Sequence, residues 1–76
     1  GPARFLRNVL IAIGNSDDAS LIPLVEARLD AEETIVRGAA VWALRRLAPE
    51  RAGELSLAYL AREGDSSVAA EWTGDI

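Results

Sequence analysis

Apolar positions recur along this chain at helical spacing, in blocks separated by short polar or proline-marked breaks. From Thr34 to Leu47 the residues Val36, Ala39, Ala40, Ala43, Leu44 and Leu47 follow the 3.6-residue period, with Thr34 as the expected N-cap. Ala48-Pro49 ends that block, because a residue before proline is pushed out of the helical region. Leu21 to Leu29 carries Leu21, Leu24, Val25 and Leu29 in the same rhythm. Ser20 as its cap places Pro23 in the first turn, where the absent N–H costs nothing; a start at Asp18 instead puts a kink at Pro23. A further pair runs from about Pro49 to Arg62 and from Asp65 to about Trp72, with Gly64 as the stop between them. Gly53 weakens the first of these by roughly 1 kcal/mol relative to alanine. The opening block, Ala3 to Ile13, is one more helix, closed by Gly14-Asn15 as a stop that permits a left-handed turn.

These blocks repeat. A shift of 31 lays "IAIGN" (Ile11 to Asn15) over "WALRR" (Trp42 to Arg46), so that Ala12 meets Ala43 and Ile13 meets Leu44. The same shift lays Leu24, Ala27 and Leu29 over Leu55, Ala58 and Leu60. With one residue inserted, "EETIVRGAA" meets "GDSSVAAEW", which starts at Gly64. Each unit is a helix pair, and the expected fold is all-α, a HEAT-like stack of about two and a half pairs and five helices in a single domain spanning 1–76. Val9, Ala12, Leu24, Leu29, Val36, Ala40, Ala43, Leu47 and Leu60 are the expected core. The apolar side of the first helix, Phe5 included, is expected to be covered by an upstream segment or by another copy, as in a C-terminal fragment of a larger protein.

Composition narrows the chemistry. Half of the 76 residues are apolar and a quarter charged, a globular mixture. Cysteine is absent, so disulfides, zinc–thiolate sites and iron–sulfur ligation within this chain are excluded. Histidine is absent too, which removes the commonest general base and metal ligand. Serines 16, 20, 56, 66 and 67 therefore have nothing to activate them, neither histidine nor lysine. "NSDD" lacks the alternating oxygens, glycine and distal Glu of a calcium loop, and no glycine-rich phosphate loop is present. No apolar run is long enough to span a membrane, and a cytoplasmic chain is the expectation.

The net charge of −4 argues against nucleic acid until its distribution is considered. Residues 3–15 and 34–47 together carry Arg4, Arg7, Arg37, Arg45 and Arg46 and no acid, a local charge of +5. Residues 16–33 carry −5 and residues 48–76 carry −4. In a stack, the second helices of successive pairs lie side by side on the concave face, so an acidic chain acquires one basic wall. On that wall Arg4, Arg7 or Asn8, Ile11 and Asn15 share a helix face, and Gly38, Trp42, Arg45 and Arg46 form the neighbouring stripe. Arginine forks match phosphate oxygens and stack on bases, tryptophan offers a stacking surface, and asparagines can donate to phosphates or base edges. Arg4, Arg7, Asn8, Asn15, Trp42, Arg45 and Arg46 are thus the candidate nucleic-acid-binding set.

Structural roles compete for several of these residues. Arg37 is expected to pair with an acid of a neighbouring unit, with Asp30 available. Arg45 and Arg46 sit in a last helical turn, where cations offset the negative dipole end. Trp42 is equally suited to packing under a neighbouring domain. Trp72 is expected to close the core.

"VRGAAVWALRRL" resembles the second-helix signature of HEAT-like repeats, and "RNVLIAIGNSDDASLIPLVEARLD" resembles the C-terminal HEAT-like region of the epoxyqueuosine reductase family. "DSSVAAEW" is similar to that family's closing repeat. The resemblance implies an oxidoreductase of tRNA queuosine biosynthesis that converts epoxyqueuosine to queuosine in the anticodon loop. It also implies cobalamin and two 4Fe-4S clusters held by an upstream catalytic domain, with the C-terminal repeats helping to hold the anticodon stem-loop region of the tRNA. This chain has none of the cluster cysteines and catalyses nothing of the kind alone. Two other expectations stay open: a HEAT-like protein–protein interaction module with a concave binding face, and a structural cap on a catalytic domain.

Overall fold

A computed structural model describes residues 1–74, and they form five α-helices with no strand among them. The helices are α1 (Pro2–Gly14), α2 (Ile22–Glu26), α3 (Thr34–Leu47), α4 (Pro49–Leu60) and α5 (Ser66–Thr73). A 3-10 turn, Ala19–Leu21, leads into α2. α3 is the centre, with α1 on one side, α5 on the other, and α2 and α4 behind it. α3 thus packs against each of the other four helices, and against α1 most extensively.

Local chemistry sets the helix boundaries. Proline opens α1 and α4 and stands in the first turn of α2, where a missing N–H breaks no bond. The Asp65 carboxylate accepts from the backbone N–H groups of Ser67 and Val68 and so caps α5. Asp18 does the same for Ser20 at the 3-10 turn, so aspartate and not Ser20 is the cap here. Both requirements are then met, with a capped turn from Asp18 and a separate α-helix that takes Pro23 in its first turn. α2 proper ends at Glu26 and not Leu29, although Leu29 is still buried in the turn that follows. Thr34 is the first residue of α3 and not its cap; Glu33 precedes it with an extended backbone and no side-chain cap. Likewise α4 stops at Leu60, two residues short of Arg62.

The core contains Leu29, Val36, Ala40 and Ala43 as expected, joined by Leu10, Ile13, Val25, Val41, Leu44, Val68 and Trp72. Trp72 stacks on Tyr59 with ring centroids 5.2 Å apart, closing the α4–α5 end. Leu47 and Leu60 are only half-buried at its margin. Val9, Ala12 and Leu24, expected inside, are exposed. The first helix has two apolar sides, and α3 covers the one bearing Leu10 and Ile13.

Gly14 has a different role from the one its sequence context suggests. Asn15 follows it with φ −94°, right-handed, and the left-handed residue of this loop is Asp17 at φ 57°. Gly14 is instead buried at the crossing of α1 and α3, where a Cβ would lie 2.5 Å from the Trp42 ring and 3.1 Å from the Ala43 Cα. The glycine permits backbone contact. Replacing Gly14 by alanine is expected to destabilise the fold by roughly 1–3 kcal/mol through overpacking. Gly53→Ala, in the exposed middle of α4 with nothing near the added methyl, should stabilise it by about 0.5–1 kcal/mol. Urea unfolding of the two variants tests both signs.

Candidate nucleic-acid interface

A groove of about 360 Å³ lies between α1, α3 and α5. Arg7 and Ile11 line it from α1, Ile35, Gly38 and Trp42 from α3, and Val68 and Glu71 from α5. Of the candidate set, the structure thus brings Arg7 and Trp42 together in one depression. Arg46 joins them through the indole, its guanidinium carbon 5.0 Å from the Trp42 ring centroid. The Arg46 Nε donates to the Gly14 carbonyl at 3.1 Å, so this cation caps the C-terminal end of α1, not that of its own helix.

Arg45 leaves the stripe. Its Nη1 donates to the Glu71 backbone carbonyl at 3.0 Å, and the side chain lies toward α4 with Pro49, Ala52 and Trp72. Gly74 ends α5 at φ 74°, and a Cβ there would come within 2.8 Å of this guanidinium. Consecutive arginines of one helix therefore reach opposite neighbours, Arg46 back to α1 and Arg45 forward to α5. The remaining candidates are exposed: Arg4 has no partner among the described residues, Arg7 donates to the Asn8 amide oxygen at 3.3 Å, and Asn15 caps α1 through its backbone N–H.

Arg37 takes the structural role, with a different partner from the expected one. It grips Glu63 with two hydrogen bonds, Nε to Oε1 at 3.0 Å and Nη2 to Oε2 at 2.8 Å. Its Nη1 donates to the carbonyls of Ala31 and Glu32. Asp30 is occupied elsewhere, accepting from Arg62 at 2.9 Å and from the Tyr59 hydroxyl at 3.2 Å. The fork therefore ties the turn before α3 to the turn before α5. Hydrogen bonding from Arg37 is the main cause holding the Glu63 carboxyl below its ordinary range, against a smaller opposing effect of burial. Asp65 is held low by its cap bonds, first from Ser67.

Several groove residues lie outside the candidate binding set: Thr34, Ile35, Ala39, Ser67, Val68 and Glu71. Glu71 matters most, because it sets a carboxylate on the bank opposite Arg7. The i, i+4 spacing of Ser67 and Glu71, on a helix expected beside α3, was the available signal.

Among the described residues no three His, Cys, Asp or Glu side chains come together as a metal site, and no helix is long and apolar enough to cross a membrane. The clamp sets a pH response. A carboxyl whose pKa is depressed on folding stabilises the fold above its unfolded value near 4.5, and that contribution is lost as pH falls through the lower folded value. Glu63→Gln should cost roughly 1–3 kcal/mol at neutral pH and flatten the loss of stability below about pH 4.5. Thermal melts across that range check it. Compared with protein-family models, curated proteins and solved structures, the chain matches none.

Proposed function

We propose that this chain is the tRNA-binding, HEAT-like C-terminal segment of an epoxyqueuosine reductase, and that the α1–α3 wall meets the tRNA backbone near the anticodon stem-loop. One observation carries the reading. Arg37, Arg51 and Arg62 are each paired with a carboxylate, whereas Arg4, Arg7, Arg45 and Arg46 bond only to neutral groups or to nothing among the described residues. Four of the five arginines of α1 and α3 therefore pair with no carboxylate among the described residues, and only Arg37 is neutralised. Arg46 is also held in place by Gly14 and Trp42 through its Nε and its π face, which leaves both terminal nitrogens for a phosphate. Sequence resemblance supplies the enzyme family, and with it a cytoplasmic setting, cobalamin and two 4Fe-4S clusters. Without cysteine or histidine, the residues of this chain do not fit as cluster ligands, so the chemistry belongs to the upstream catalytic domain.

A protein–protein interaction module is the second reading, and the groove supports it. Its lining is largely apolar, with Ile11, Ile35, Trp42 and Val68, and Glu71 faces any approaching phosphate. Salt dependence separates the two. Arg4→Gln with Arg7→Gln breaks no bond between helices. On the RNA reading it weakens tRNA binding and lowers the log–log salt slope by about one unit for each phosphate no longer neutralised. Trp42→Ala should cost roughly 1–3 kcal/mol of binding with little change in slope if a base stacks there. Fluorescence anisotropy with tRNA at several salt concentrations reads both. Affinity unchanged by all three substitutions favours the adaptor.

A further inference from the structure

The groove between α1, α3 and α5 carries one charge of each sign, on opposite banks, and neither is neutralised by another described residue. On α1, Arg7 is exposed and bonds only to the neutral Asn8 amide oxygen. On α5, Glu71 is half-buried, and its carboxylate has no partner among the described residues; its backbone carbonyl alone is engaged, by Arg45. Among the described residues that line the groove, Glu71 is the only acid. Between the banks the lining is largely apolar, with Ile11, Ile35, Trp42 and Val68. Gly38 leaves room above it. A Cβ there would stand 3.9 Å from Val68 Cγ2 and 4.0 Å from Glu71 Cγ, so the stem of the Glu71 side chain lies beside the glycine.

On the RNA reading of the α1–α3 wall, on which this site depends, we propose that the groove holds one unstacked guanine of a bound strand. The base lies against Trp42, its Watson–Crick edge meets Glu71, and its phosphate meets Arg7. A space of about 360 Å³ is within the range of small-ligand sites, and one nucleotide is a ligand of that class. The two charges orient it. Glu71 repels the sugar–phosphate backbone, so the phosphate stays at the Arg7 bank and the base reaches across. An ionised carboxylate only accepts hydrogen bonds, so it selects an edge with adjacent donors. Guanine offers two, N1–H and the N2 amino group, to the two carboxylate oxygens. Adenine and cytosine place a ring-nitrogen acceptor beside their amino group, and uracil flanks its N–H with two carbonyls, so each sets an acceptor against Glu71. Single-stranded bases are recognised in this manner, by stacking on an aromatic ring and bonding along the Watson–Crick edge. A nucleotide thus answers both charges and the indole at once.

Fluorescence anisotropy of the whole chain with short oligouridylates carrying one central guanosine, inosine, adenosine or cytidine tests this. The guanosine strand should bind at least about fivefold more tightly than the other three. Inosine belongs with the losers because it keeps N1–H and lacks the N2 amino group. Glu71→Gln leaves the backbone carbonyl free to hold Arg45, and it should erase the guanosine preference. The same change should favour adenosine, whose amino group and adjacent ring nitrogen match an amide. Gly38→Leu fills the groove with a better helix former, so it should remove the preference without lowering the thermal midpoint. Guanosine bound no better than the others, or a preference that survives Glu71→Gln, overturns the guanine site. If tRNA then still binds with a salt slope that Arg4→Gln and Arg7→Gln reduce, the RNA reading of the wall stands without that site. If no RNA binds, both fall. A protein partner in the groove would leave every oligonucleotide affinity unchanged by Gly38→Leu, and that result also overturns the guanine site.

Discussion

The crossing of α1 over α3 at Gly14 fixes the position of everything else in this fold. Helices normally stand 8–10 Å apart because side chains hold them there. Here a buried glycine meets a tryptophan ring and an alanine backbone, and the helices close to direct contact. Ala39, Ala40 and Ala43 let neighbours approach α3 for the same reason, by leaving room and adding little bulk. A small domain has few apolar atoms to bury, so close approach of backbones substitutes for large side chains. The groove between α1, α3 and α5 has small residues in its lining too, Gly38 and Ala39 of α3.

Arginine is divided between two duties, pairing with carboxylates and bonding to backbone carbonyls. The Arg37–Glu63 fork is half-buried and bidentate, and it joins two turns 26 residues apart. Arg51 and Arg62 make exposed pairs between the first helices, each worth little because water competes and side-chain entropy is lost. Arg45 and Arg46 bond to carbonyls at the ends of neighbouring second helices, a use that orders the guanidinium without cancelling its charge. Arg37, Arg51 and Arg62 are thus neutralised locally, whereas Arg45 and Arg46 are ordered by backbone carbonyls and keep their charge.

Much of this was legible in the sequence. Helical period, prolines and the shift of 31 located all five helices. The misses share a cause: periodicity gives an angle on a helix, not the neighbour that occupies it. On α1 both the Phe5–Val9–Ala12 side and the Leu10–Ile13 side have helical spacing, and only the packing of α3 decides which is buried. Arg37 shows the same limit, since its pairing with Glu63 over the nearer Asp30 depends on where two turns meet in space. Arg45 and Arg46 are adjacent in sequence and about 100° apart around the helix, enough to send them to opposite neighbours. The groove was legible from its α1 and α3 banks, but Glu71 required knowing how far α5 reaches along α3.

The close approach at Gly14 also constrains sequence drift. Positions 14 and 42 share one small volume, filled by an indole ring on one side and by the absence of a side chain on the other. A lineage that shrank position 42 would free position 14 to take alanine, a better helix former, while any that kept the tryptophan would have to keep the glycine. The two sites should therefore vary together, and the exchange should also decide whether Arg46 retains a ring to lie on. Helix spacing, helix capping and the placement of one surface cation are inherited as a single unit.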